Sequence, residues 1–281
     1  MGLPKHPNDC KFKPFDIETT GFGESDVLTT LTLEDNGAYH VWLNTNGGIP
    51  DDEVERIEIE VTDESGEFII LHPVSDDREL LLDFEEYMDE HFDPHAVLVA
   101  YNGETWSGGF DIPFLRSACI RNDTGWILGG YDYIDLYPVY GKSGRFNTKV
   151  PSHASLNKGP MTDFAKWLGI QVDPEWNTDE LSLAIDRTYY DFEQILEWAE
   201  DTNHEPAYNS YGDQVKVYQV LTGKVHDYDP WVDSVHAVTA WEQGDFAPLI
   251  LHNVADVVKT KELTEIGMDY ISPDDFSFKT L

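Results

Sequence analysis

The chain has 281 residues, 41% of them hydrophobic and 13% aromatic, which suffices for one large folded domain and is too apolar for a disordered chain. Its 54 Asp+Glu against 18 Lys+Arg, a formal net charge of −36, are scattered over the whole length and so describe a solvated coat, not an acidic tail. No apolar run of about 18 residues exists to span a bilayer, and the two cysteines, Cys10 and Cys119, lack the spacing of a zinc site or a disulfide framework.

Phe15-Asp16-Ile17-Glu18-Thr19-Thr20-Gly21 reads as a short strand entering a Thr-Gly turn, with Pro14 just ahead of it at the strand start. Side chains two apart on a strand share a face, so Asp16 and Glu18 project together while Phe15 and Ile17 pack the other way. Paired carboxylates repel each other unless a cation lies between them. A hard divalent ion such as Mg²⁺ is the usual remedy, held by carboxylates, water and substrate phosphate. The competing reading is an acidic strand face in solvent, so further acidic sites have to decide.

Residues 27–33 form a second strand, Glu34-Asp35-Asn36-Gly37 a hairpin turn and 38–43 a third strand, making an antiparallel meander with the first. A charged segment with an extra strand near 56–61 leads to a strand over 68–72. Residues 76–92 follow as a helix, with Leu80, Leu81, Phe84, Tyr87 and Met88 at helical spacing and Ser75 as its cap. Residues 96–101 are a continuous apolar run, the pattern of a strand buried on both faces. After Asn102-Gly103, a loop opens a helix at Phe110-Asp111-Ile112-Pro113-Phe114-Leu115, with Asp111 near the helix start, where a carboxylate is favoured.

A strand over 131–136 and a helix over 155–169 come next. Residues 170–244 turn acidic and aromatic and read as a mostly helical insertion whose aromatic residues serve as core. The last strong helix runs over 245–266. Leu251, Val254 and Val258 form its apolar stripe, and His252 and Asp256, four apart, lie together on a neighbouring face.

Phe15-Asp16-Ile17-Glu18-Thr19, Tyr101-Asn102-Gly103 with Phe110-Asp111-Ile112-Pro113-Phe114, and His252-x-x-x-Asp256 resemble, in order, the three exonuclease motifs of the DEDD (DnaQ-like) superfamily. The closest likeness is to the 3′-to-5′ exonuclease domain of family B DNA polymerases. The resemblance implies an α/β fold over residues 1–281: a ribonuclease H-like mixed sheet of five strands or slightly more, flanked by helices, with the 170–244 insertion before the last helix. It implies that Asp16, Glu18, Asp111 and Asp256 bind two Mg²⁺ or Mn²⁺ ions, and that Thr19, Asn102 and Phe110, beside those acids, contact substrate. Three departures stand out, the first being the 170–244 insertion itself, which has no counterpart in the family pattern. The stretch between Asn102 and Asp111 is longer than the polymerase pattern, and His252 stands where the x-x-x-Asp subclass has tyrosine.

The expected activity is removal of nucleotides from the 3′ end of single-stranded DNA or RNA, with His252 orienting or deprotonating the attacking water. The alternative is a non-catalytic nucleic-acid-binding or complex-forming module on the same fold. The charge excess resembles that of proteins from a salt-loving archaeal cytoplasm, where the Debye length falls to about 3 Å at 1 M salt. A chain this acidic would otherwise repel nucleic acid, whose sequence-independent binding depends on counterion release. The first residues carry neither a signal-peptide core nor a myristoylation pattern, so the expected location is the cytoplasm.

Overall fold

The computed structural model describes residues 11–281 except 22, 24, 25, 105–108, 142, 143, 154, 155, 187, 189–191, 206, 207, 211–213 and 232–234. Cys10, the residues before it, the expected helix start at 155 and part of the aromatic run at 189–191 lie outside the described residues.

Strand β1 (Phe12–Thr19) pairs antiparallel with β2 (Leu28–Asp35), which pairs antiparallel with β3 (Ala38–Asn44). The β2–β3 hairpin closes at Asn36-Gly37 with φ of 53° and 87°, the doubly left-handed turn that matches strand twist. Pro14 lies inside β1 and not ahead of it, opposite Val99, and the antiparallel ladder with β2 begins only at Phe15, so its missing N–H takes nothing from that ladder.

Helix α1 (Asp51–Ser65) replaces the strand expected near 56–61. Ile57-Glu58-Ile59-Glu60-Val61 alternates like a strand, yet Ile57 and Val61 are buried four apart while Ile59 is 55% exposed. Three acids in the first turn favour the positive helix end. Gly66 at φ 73° closes the other end and donates to Thr62 O. The crossover delivers β4 (Ile69–Val74) parallel to β3. The cap of α2 (Asp77–Glu90) is Asp76, which accepts from Glu79 N at 2.8 Å, whereas Ser75 donates its hydroxyl to the Glu79 carboxylate at 2.6 Å.

Strand β5 (Val97–Ala100) runs parallel to β1, α3 (Asp111–Arg121) follows, and β6 (Asp132–Asp135) runs parallel to β5. Past the short α4 (Tyr137–Tyr140), β7 (Lys149–Pro151) and α5 (Lys158–Trp167) lead to α6 (Thr178–Asp186) and α7 (Phe192–Asp201). Strand β8 (Tyr208–Ser210), α8 (Gln214–Thr222), α9 (Val235–Gln243), the long α10 (Phe246–Tyr270) and β9 (Lys279–Thr280) complete the chain. The protein is thus α/β, with a mixed seven-stranded sheet in the order β4-β3-β2-β1-β5-β6-β9.

Helices cover both faces of the sheet. Phe15, Ile17 and Trp42 pack with Leu80, Phe84 and Leu115 of α2 and α3. Tyr39, Val41 and Leu43 pack on the other side with Ile57 and Val61 of α1 and with Leu249, Val254 and Val258 of α10. Strand alternation therefore turns Asp16 and Glu18 toward α10.

The 170–244 region contains helices α6 to α9 and strand β8, which pairs antiparallel with β7 from the preceding segment. With α5 it has a core of its own, where Trp198 is fully buried among Phe164, Leu181 and Ile195. It is also fastened to α10: Gln214 Nε2 donates to Asp256 O at 2.8 Å and to Thr260 Oγ1 at 2.6 Å. Among the described residues no helix is long and apolar enough to cross a membrane.

Candidate metal centre

Strand β1 and helix α10 pack directly together, and that contact assembles the acids. Glu18 Oε1 lies 3.6 Å from His252 Nε2. Glu18, His252 and Asp256 each offer a ligand atom, all within 4.8 Å of one another, so this buried group can hold a metal ion. Among the described residues no other trio of metal-ligating side chains closes to this spacing. Asp16, one β1 repeat away, has its Oδ2 bound by Asn253 Nδ2 at 2.7 Å, and Asn253 Oδ1 accepts from Thr32 Oγ1 of β2 at 2.5 Å. Consecutive residues of α10 thus address the two β1 acids, His252 facing Glu18 and Asn253 fixing Asp16.

Asp111 arrives at the first position of α3 from the β5–α3 loop. Asp135 at the end of β6 gathers the start of that loop, accepting from Asn102 N at 2.8 Å, Glu104 N at 3.0 Å and Tyr137 N at 2.9 Å. Asn102 turns the chain at φ 61°, and a Cβ on Gly103 would come within 2.3 Å of the Tyr133 hydroxyl, so only glycine fits the close approach there. The Asn102-Gly103 pair is therefore dictated by backbone geometry, whatever else it does. Asp111 is 5% exposed, and its Oδ2 has no hydrogen-bond partner among the described residues.

The electrostatics follow from crowding. Burial holds Asp16 protonated well above the usual carboxylate range, and the charges of Asp111, Asp256 and Glu18 push it further, against the Asn253 bond. Asp111 is raised likewise, by burial first and then by Asp135, Glu18 and Asp256. Burial lifts Glu18 to about 8, with His252 and Lys259 opposing and Asp256 and Asp229 adding to the rise. For His252 burial works downward, but the Asp256 charge, the bond to Asp229 and the Glu18 charge outweigh it and raise the ring to about 9. Asp16 and Asp111 are both raised by burial and by the charges of Glu18 and Asp256, as like charges in one poorly solvated space should be.

Two further members were not found from the sequence. Asp229, from the insertion, accepts from His252 Nδ1 at 2.8 Å and from Lys259 Nζ at 2.5 Å. Lys259, 2% exposed, also binds Asp256 Oδ1 at 2.8 Å. Lys259 lies three residues beyond Asp256 on the same helix, so helical spacing carried its signal. Nothing in the spacing pointed to Asp229.

Of the expected catalytic set, Glu18, His252 and Asp256 close into one trio, while Asp16 and Asp111 stand outside it and feel its charge. The tight trio differs from the four acids expected to hold metal, since His252 joins it. The expected substrate residues stand at the margins. Thr19 is buried and gives its hydroxyl to Gly21 O at 2.8 Å, Asn102 makes the turn, and Phe110 packs on Phe114 with ring centroids 5.4 Å apart. No protein-family model matches the chain, and comparison with curated proteins finds no match.

Proposed function

We propose that the protein is a divalent-metal-dependent 3′-to-5′ exonuclease on a ribonuclease H-like fold, acting on single-stranded DNA or RNA. The observation that carries this reading is that Glu18 and Asp256, with His252, lie within reach of one ion, and that their charges, from two separate stretches, raise the proton affinity of Asp16 and of Asp111 from a third. A mixed sheet with helices on both faces agrees with that fold. Two buried acids, Glu18 and Asp111, beside two half-buried ones are costly unless something neutralises them.

The donor set suits Mg²⁺ or Mn²⁺: oxygen ligands from Glu18 and Asp256, Asp16 held in one orientation by Asn253, and Asp111 with an uncommitted oxygen. When bound, such ions supply an activated water and compensate charge on the leaving oxygen. The reaction forms a bond from water oxygen to phosphorus, breaks the bond from phosphorus to the 3′ oxygen, and returns a proton to that oxygen. A nucleoside 5′-monophosphate and a strand one unit shorter result. In molar salt counterion release contributes little, so metal bridges to phosphate carry the affinity.

Purified in molar salt with Mn²⁺ or Mg²⁺, the protein should shorten a 5′-labelled oligonucleotide one nucleotide at a time, and Asp16→Ala should not. Equal activity of the two would remove the reading. Oligonucleotide binding without turnover would favour a non-catalytic module instead.

A further inference from the structure

We infer that His252 is itself a metal ligand through Nε2, held in that role by Asp229 of the insertion, and that the site therefore prefers Mn²⁺ to Mg²⁺. The inference rests on the metal-site reading above, not on nuclease turnover.

A carboxylate can only accept a hydrogen bond, so the 2.8 Å contact with Asp229 Oδ1 assigns the proton of that pair to His252 Nδ1. Nε2 is then the atom presented to the acids. It is buried, with no hydrogen-bond partner among the described residues, and 3.6 Å from Glu18 Oε1 is too far for a hydrogen bond. The His252 ring, the Glu18 carboxylate and the Asp256 carboxylate each offer an atom within 4.8 Å of the others, close enough for all three to reach one ion.

The ring cannot swing away. His252 is 2% exposed, and the Trp231 ring packs edge-on against it at 5.8 Å. Asp229 is fixed in turn by Lys259 Nζ at 2.5 Å and Trp231 N at 3.3 Å. A ligating histidine ordinarily donates its second ring nitrogen to a carboxylate, which sets the tautomer and strengthens the ligand. Asp229 is that carboxylate, a positioning residue supplied by the insertion. Lys259 ties its charge to Asp256, so the carboxylate ligand and the imidazole ligand are braced by one network.

The carboxylate oxygens alone suit either ion, but adding the His252 imidazole moves the preference away from Mg²⁺, which favours octahedral oxygen coordination and sheds water reluctantly. Imidazole favours first-row transition metals, and the carboxylates keep the site open to Mn²⁺.

The test is Mn²⁺ binding by the full chain in molar KCl, followed by electron paramagnetic resonance with Mg²⁺ competition, and electron spin-echo modulation to detect nitrogen coupled to the ion. Wild type should bind Mn²⁺ at least tenfold more tightly than Mg²⁺ and show ¹⁴N coupling. His252→Ala should lose the coupling and most of the preference. Asp229→Ala should weaken Mn²⁺ by about 10–100-fold. Asp229→Asn, whose amide oxygen still accepts from Nδ1, should retain the coupling and guards against a folding defect in the alanine variant. Bound Mn²⁺ without nitrogen coupling, or equal affinity for the two ions, overturns the inference and leaves the nuclease reading standing. Nitrogen coupling in a protein that digests no oligonucleotide supports the inference and removes the nuclease reading. Absence of Mn²⁺ binding removes both.

Discussion

On the α2 face of the sheet His40 and His72 lie with Nδ1 and Nε2 3.1 Å apart, Tyr87 joins His40 at 3.2 Å and donates to Asp35 at 2.9 Å, and Lys13 pairs with Asp35 at 2.8 Å. Trp42 stacks on His72 with centroids 4.6 Å apart and donates to Asp83 at 2.8 Å. On the α10 face the acids outnumber the cations, and Asp111 Oδ2 and His252 Nε2 find no hydrogen bond among the described residues. Both networks contain histidine and carboxylate and are at least half-buried, yet burial and His72 drive His40 down to about 4 while the acids draw His252 up to about 9. A buried polar group is costly unless partnered. The α2 network meets that cost within the protein; the α10 network leaves two of its atoms without a hydrogen bond among the described residues and can hold a metal ion.

The contrast predicts opposite consequences of removing an acid. Asp256→Ala or Glu18→Ala should lower exonuclease turnover by at least about 10²-fold, the scale of losing one electrostatic stabiliser. At pH 9, where Glu18, raised to about 8, is ionised, Glu18→Ala should leave the metal-free thermal midpoint unchanged or higher, because a repelled buried carboxylate goes with it. Asp35→Ala should destabilise the fold by about 3 kcal/mol, since it strands the buried Lys13 ammonium, and leave Mn²⁺ affinity at the wild-type value. Denaturant titrations with and without Mn²⁺ separate the two behaviours.

The pH response separates the faces next. Glu18 rises from 4.5 to about 8 and His252 from 6.5 to about 9 on folding, so both stabilise the metal-free protein at low pH. That contribution is lost as pH rises through the folded values. His40 falls from 6.5 to about 4, so its contribution is present above 6.5 and lost as the solution is acidified toward 4. Stability measured in EDTA should therefore decline toward both ends. Mn²⁺, which binds the deprotonated ligands and displaces their protons, should restore only the alkaline side. A Mn²⁺ effect of equal size at pH 5 and pH 9 would contradict the assignment. The smallest effect belongs to Thr32→Val, which frees Asn253 to rotate: about 1 kcal/mol of stability and a modest fall in turnover through Asp16.

Much of the site was legible because its chemistry lies in local patterns. Asp16 and Glu18 follow from strand alternation, Asp111 from a helix start, and Asp256 from helical spacing after His252. The hairpin at Asn36-Gly37 and the buried run at 97–100 were legible for the same reason. Helix α1 was not, since its isoleucine and glutamate residues alternate with a strand's period and only the buried pair Ile57 and Val61 settles the matter. Asp229 was illegible because a long-range contact from an insertion leaves no periodic trace. Lys259 was hidden differently: one lysine in a charged string reads as solvated surface, and its burial depends on two acids that only the fold brings to it.

The most direct test of the whole reading is an anomalous difference map from crystals soaked in Mn²⁺ and measured at the manganese edge. A peak among Glu18, Asp256 and His252 Nε2, with Asp16 and Asp111 turned toward it, is the predicted result. An empty map there, with manganese only at the acidic surface, would contradict it.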